Sequence, residues 1–254
     1  MVGINYIIAT YAGKTSGRLL DKNSEFVLDK QLDVLYNLFL KKKELGIENL
    51  IEQITIVYPT TVNDPYPNYY QTEKWQNMFK NIVFLQYIGQ NKHHSYDQYI
   101  QAMQKYQEYD YNIIIEDDYC ISLDNPYFDL ELVQEYKEKF PQNIGYLCTW
   151  CPDYPPWAPK HAAISNGMIS KATIQSIKNP LEYFYTLRDH SQKMFSYLFT
   201  DHGIELKDIS DKYKIFFYYT GDPVIQDYSS VNSNKLIFMP IQMLYPPLEI
   251  KKML

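Results

Sequence analysis

The sequence predicts an α/β protein: a mostly parallel central sheet flanked by helices, with a less regular second half. Two observations carry this reading. Short β-branched runs alternate with segments whose apolar residues recur at helical spacing, an order that calls for crossover connections between parallel strands. One of those runs, Asn112 to Ile115, is apolar and β-branched at the length of a strand buried on both faces. The chain of 254 residues suffices for one large α/β domain, and 46% hydrophobic with 21% charged residues excludes wholesale disorder.

In chain order, Tyr6 to Ala9 reads as a first strand, breaking into the polar loop TYAGKTSGR. Leu28, Leu32, Leu35 and Phe39 then mark a helix. Lys41, Lys42 and Lys43 suit its C-terminal dipole and a solvated face before Gly46. Ile54 to Tyr58 is a second strand, followed by the Pro- and Tyr-rich loop PTTVNDPYPNYYQ. Ile82 to Ile88 is a third strand. Ser95 and Gln98 have the spacing of a capping box, and Tyr99, Ile100 and Met103 continue an apolar helical face to about Tyr106. The Asn112–Ile115 strand comes next.

The second half is read as a helix over Asp129–Phe140, a strand over Ile144–Thr149, and a structured loop CPDYPPWAPKHAA that can act as a lid. A strand or hairpin over Ala162–Ser170, a helix over Lys171–Ile177 and a helical region over Tyr183–Phe199 follow. Short strands are expected at Ile204–Leu206 and Ile215–Tyr219, and the tail from Leu236 is expected to wrap the surface. No repeat, low-complexity block or linker divides the chain, so one domain spanning 1–254 is the expectation.

The chemistry is concentrated where the fourth strand ends, in Glu116, Asp117 and Asp118. Adjacent carboxylates repel one another, and burying one unpaired charge is costly. Such a cluster at the end of a buried strand therefore needs a cation, basic side chains or water. In open α/β sheets, ligands bind in the crevice beyond the carboxyl ends of the strands. The stretch thus reads as hard oxygen ligands for Mg²⁺ or Mn²⁺. A solvated turn is the plain alternative. Thr10, Tyr11 and Ala12 end the first strand at the same edge, where hydroxyl and backbone groups can hold a base or ribose, and Arg18 can meet a phosphate. The GKT and GR fragments lack the spacing of a phosphate-binding P-loop. Ser95, with Gln98 and Tyr99, sits at a helix N-terminus that favours anions, although a simple cap explains it equally well.

Other motifs carry less. Cys148 and Cys151 form a CxxC, but too few further ligands remain for zinc and the Pro-rich continuation does not suit a redox helix, so core thiols are expected. Three cysteines make no paired secreted framework, and no signal peptide or membrane-spanning segment is read, which gives a soluble, cytoplasmic expectation. The net charge of -6 leaves no evident basic face for nucleic acid.

A first strand ending in Thr-Tyr, a capped helix, IIIEDDYCI, then NGMIS, LFTDHGIEL and PVIQDYSS together resemble nucleotide-sugar glycosyltransferases of the GT-A (Rossmann-like) fold, families 25 and 2 in particular. The order of elements over residues 4 to 230 follows the resemblance, and the EDD stretch matches most sharply. The Tyr-, Asn-, Ile- and Lys-rich composition fits a giant-virus member, which would place the protein in host cytoplasm or virion. The resemblance implies a nucleotide-sugar-binding half (1–125), an acceptor-side half (126–235) and a tail (236–254). It implies Asp118 as metal ligand for Mn²⁺ or Mg²⁺, with Asp117 and Glu116 at metal, ribose or donor sugar. Thr10, Tyr11 and Arg18 would lie at the nucleoside, and Asn166 and Gly167 against donor or acceptor sugar.

The family's Glu-Asp pair before a helix is missing. Spacing back from Gly203 and Ile204 lands on Ser191 and Gln192, so Asp189 is the nearest candidate base. The implied activity is metal-dependent transfer of a hexosyl group from a nucleotide-diphosphate sugar, UDP-sugar first, to a glycan, protein or other hydroxyl acceptor. An inverting course with a carboxylate base is expected, and a retaining one stays open. A catalytically inactive sugar-nucleotide-binding protein and a metal-dependent nuclease or phosphatase are the alternatives.

Overall fold

The computed structural model describes residues 2–10, 24–59, 72–87, 95–117, 119–149, 151, 162, 166–209 and 238–240. The expectations for Tyr11, Ala12, Arg18, Asp118, the Trp157 loop, Ile215–Tyr219 and PVIQDYSS lie outside these residues.

Strand β1 (Ile4–Ala9) is wholly buried and pairs in parallel with β2 (Ile51–Pro59) on one side and β4 (Tyr111–Glu116) on the other. Strand β3 (Ile82–Tyr87) extends the parallel set beyond β2. On the far side of β4, β7 (Gly167–Ser170) runs antiparallel and is followed by β6 (Tyr146–Cys148) and β8 (Leu206–Asp208), which are parallel to each other. The sheet order is therefore β3-β2-β1-β4-β7-β6-β8, mixed but mostly parallel, as the alternating pattern predicts. A separate two-stranded ladder joins β5 (Tyr119–Ile121) to β9 (Phe238–Pro240), so part of the expected surface tail returns to pair beside the acidic motif.

Helices cover both faces because alternate strand residues point to opposite sides. Tyr6 and Ile8 of β1, with Ile113 and Ile115 of β4, meet α1 (Ser24–Leu45), α2 (Thr72–Met78) and α4 (Phe128–Lys139) through Leu32, Trp75 and Phe128. Ile7 and Ile114 face the other way, toward Tyr99 and Ile100 of α3 (Ser95–Lys105). Three further helices share that face: α5 (Lys171–Gln175), α6 (Pro180–Thr186) and α7 (Ser191–Thr200).

The helical region expected over Tyr183–Phe199 is two helices. Leu187 turns extended (ψ 153°), and Asp189 accepts the His190 backbone N–H (2.7 Å), so the chain breaks before α7. At the other end of α7, Gly203 takes φ +70°, a conformation that glycine adopts without steric cost.

The lysine run also differs from its expectation. Lys43 is exposed, but Lys42 is 1% exposed. Its ammonium donates to the Asp129 carboxylate (2.5 Å) and the Pro126 carbonyl (3.1 Å), while Asp129 accepts the Leu50 N–H (2.8 Å). One buried ion pair thus ties the end of α1 to the start of α4 and to the entry of β2. Removing one partner strands the other as a buried charge. Lys42→Met is expected to lower unfolding stability by about 3–5 kcal/mol, read from chemical denaturation of the two proteins.

Candidate active site

The parallel register sets the geometry. Ala9 of β1 lies opposite Glu116 of β4, so both strands leave the sheet at the same level. Thr10 and Asp117 therefore emerge side by side: the Thr10 N–H donates to the Val57 carbonyl (3.0 Å) and the Asp117 N–H to the Ala9 carbonyl (3.2 Å). Both residues are buried.

A helix that leads into a parallel strand runs back across the sheet, which brings its N-terminus to the carboxyl edge. For α3, which precedes β4, that N-terminus is Ser95. Its hydroxyl donates to Glu116 Oε1 (2.8 Å). Asn166 arrives from the opposite side, because β7 is antiparallel and begins at this edge. Its side-chain Oδ1 accepts the Glu116 N–H (3.0 Å), and its own carbonyl accepts the Thr149 N–H (2.9 Å). Thr10, Ser95, Glu116, Asp117 and Asn166, distant in sequence, thus meet at one edge.

Two buried phenols lie near the acids. Burial, and then the nearby Glu116 carboxylate, push the Tyr99 phenol well above its ordinary range. Burial does the same to Tyr146, again with Glu116 contributing. Asn166 Nδ2 and the Tyr99 hydroxyl are buried without a hydrogen-bond partner among the described residues. Such orphaned polar groups are costly. Gln98 faces inward on α3 and is 1% exposed.

The described residues contain no group of three or more His, Cys, Asp and Glu side chains that could hold a metal ion. Glu116 and Asp117 are the described members of the acidic motif. Carboxylate oxygens such as those of Asp117 fit Mg²⁺ or Mn²⁺ and not a soft metal.

Gly167 follows Asn166 where β7 meets β6. A Cβ there would lie 2.3 Å from the Leu147 carbonyl oxygen, so the close strand approach itself requires glycine. Asp189 lies just before α7, the helix that leads into β8. Its carboxylate is bound locally, by the His190 N–H, the Tyr197 hydroxyl (3.2 Å) and Lys193 (3.8 Å). The His190 N–H is the chief cause holding its carboxyl below the usual carboxylate range.

Two supporting features carry no sequence signal. Thr149 holds Asn166 from the neighbouring strand. Asp97, fully buried on the first turn of α3, accepts the Tyr87 hydroxyl (2.6 Å), which also bonds the Tyr185 hydroxyl of α6 (2.6 Å). The capping-box spacing pointed to this turn, but Tyr185 lies 88 positions from Asp97 and no local pattern links them. The three cysteines are buried free thiols.

The fold and this edge define an α/β protein built on a mostly parallel sheet. No protein-family model matches the chain, and no curated protein matches it in sequence. Solved structures resemble its layout. A glycosyltransferase involved in the glycosylation of the major capsid of PBCV-1 aligns over 99% of this chain and 98% of its own, at 10% identity and a TM-score of 0.47. S. aureus TarS 1–349 in complex with UDP aligns over 83% of this chain, at 13% identity and a TM-score of 0.48. The chain spans 59% of that TarS fragment and 33% of the longer S. aureus TarS structure. CMP:2-keto-3-deoxy-manno-octonic acid synthetase complexed with CTP aligns over 82% of this chain and 89% of its own, at 13% identity and a TM-score of 0.44. Among the described residues, no helix is long and apolar enough to cross a membrane.

Two outcomes follow from the geometry. Gly167→Ala forces β6 and β7 apart and is expected to cost about 1–3 kcal/mol, read as a fall in the thermal midpoint. Asp189 has a depressed native pKa, so its stabilising contribution is present above the unfolded value of about 3.9 and disappears as pH falls through the native one. Asp189→Asn should therefore lower the midpoint slightly at pH 7, and the difference should vanish in strong acid; a difference that grows toward low pH would contradict this.

Proposed function

We propose that the chain is a metal-dependent glycosyltransferase acting on a nucleotide-diphosphate sugar, UDP-sugar first, with a glycan or protein hydroxyl as acceptor. The observation that carries this reading is the meeting of Glu116 and Asp117 with Thr10, Ser95 and Asn166 at the carboxyl edge, the place where open α/β sheets bind ligands.

In this reading Thr10 and the loop after it, with Tyr11, Ala12 and Arg18, hold the nucleoside and its phosphates. Asp117 and Asp118 would hold Mn²⁺ or Mg²⁺. When bound, the ion neutralises charge that builds on the diphosphate as the bond to the anomeric carbon breaks. Asp189, ionised at neutral pH, accepts the proton of the acceptor hydroxyl on a carboxylate oxygen as attack proceeds, giving inversion. Asn166 brings a buried amide donor to the same edge, and Gly167 lets β7 pass close to β6.

A second reading has its own support. The Asp189 carboxylate is engaged by its own helix and by His190, an arrangement that also suits a capped helix in a sugar-nucleotide-binding protein without turnover.

The test is a thermal-shift panel of UDP-, GDP-, dTDP- and CMP-sugars, each with and without Mn²⁺, followed by nucleotide-release assays. Binding at a hundredfold excess over Kd stabilises by about 2.7 kcal/mol. A metal-dependent shift with one donor, lost in Asp118→Asn, is expected. Nucleotide release that stops in Asp189→Asn supports transfer, whereas binding without release favours the second reading. No shift with any donor overturns both.

A further inference from the structure

We propose that Glu116 is a positioning residue and not a ligand of metal or donor: its carboxylate fastens the first turn of α3 to the end of β4, so that Asp117, the next residue, is presented at a fixed place. The identity of the ligand rests on the proposed function; the brace itself does not.

The three acids occupy different mechanical situations. Glu116 is the last residue of β4 and still belongs to the ladder, opposite Ala9. Its Oε1 accepts the Ser95 hydroxyl at 2.8 Å. Ser95 is 8% exposed, so the contact is sheltered from water, where a hydrogen bond to a charged group is stronger than at the surface. On the backbone side, the Glu116 N–H is held by Asn166, and Asn166 in turn by Thr149. Glu116 is thus gripped from α3 by its side chain and from β7 and β6 by its backbone. Asp117 is the first residue past the strand, with its N–H on the Ala9 carbonyl. Beyond Asp118, Tyr119 is already paired in the second ladder, opposite Pro240. Glu116 belongs to one ladder and Tyr119 to the other, so Glu116 is the anchor on the sheet side.

An anchor and a ligand make opposite demands on chemistry. The brace needs an acceptor oxygen at the Oε1 position, which glutamine keeps. Direct contact with a cation needs the negative charge, which glutamine lacks. The experiment is a double-mutant cycle on Ser95 and Glu116. UDP affinity in the presence of Mn²⁺ is measured by calorimetry, alongside amide hydrogen exchange over 111–121.

The expected result is that Ser95→Ala and Glu116→Ala each weaken UDP binding about tenfold and that the double variant is no worse. Glu116→Gln should stay within about twofold of wild type. Exchange at the Glu116 and Asp117 amides should quicken in both alanine variants and not in Glu116→Gln. If Glu116→Gln is as weak as Glu116→Ala while Ser95→Ala binds like wild type, Glu116 touches the ligand and the inference is wrong. Independent losses that multiply to about a hundredfold also overturn it. Wild-type protein that binds no UDP overturns the functional reading instead. The exchange data then judge the brace alone, and unchanged exchange in Ser95→Ala removes it.

Discussion

A strand buried on both faces cannot carry charge until it leaves its sheet. That constraint organises the molecule. Asn112 to Ile115 are enclosed between the helix layers, so the first position where a carboxylate can sit without a ruinous desolvation cost is the edge itself. Glu116 and Asp117 occupy it. Because β1 lies alongside in parallel, its own exit at Thr10 falls at the same level, and the crossover that feeds β4 brings the N-terminus of α3 there as well. The antiparallel β7 then delivers its beginning, not its end, to the same place. Four chain segments converge as a consequence of strand direction, with no further device required.

Convergence needs the register to be right, since a slip by one residue turns every side chain to the opposite face. At the far end of the same strands, a buried polar row supplies a second specification. Asn5 of β1 accepts the Thr55 hydroxyl of β2 at 2.7 Å and faces Asn112 of β4 at 3.5 Å, while Gln53 donates to Thr55 at 2.9 Å and accepts the Tyr109 hydroxyl at 3.1 Å. Sliding β1 against either neighbour would set these amides against Ile or Tyr and leave them unsatisfied in a dry interior. The apolar contacts make the sheet stable; the polar row restricts it to one alignment. The same alignment places Ala9 opposite Glu116.

The first half of the fold was legible because its signals are local. β-branched runs, a helix with leucines at helical spacing and the acidic stop after Ile115 can each be read within a short window. The edge that gathers Thr10, Ser95, Glu116 and Asp117 was legible for the same reason, once strand order implied parallel neighbours. Other features depend on distant partners. Lys42 looks like any lysine at the end of a helix until Asp129 is known to lie beneath it. The β5–β9 ladder joins residues more than a hundred positions apart through a three-residue strand, too short to show a period. Helix α2 adjoins a Pro-rich loop that conceals its start. The break between α6 and α7 falls in the polar run Arg188 to Lys193, where the Asp189 carboxylate binds the next residue's N–H.

The first turn of α3 connects these levels. Ser95 holds Glu116, and two residues further on Asp97 holds Tyr87 and, at 3.4 Å, Tyr185. Tyr185 belongs to the helix whose end leads into Asp189. One helical turn therefore touches the strand that bears the acids, the end of β3, and α6. Asp97 is fully buried and accepts both tyrosine hydroxyls, so neither tyrosine can swing away without leaving a buried acid less satisfied. Aromatic packing reinforces the link, with Phe195 of α7 lying 5.1 Å from Tyr96 and 6.3 Å from Tyr99 between ring centroids. The first turn of α3 thus joins β4, β3, α6 and α7 through hydrogen bonds and ring contacts in one close-packed unit.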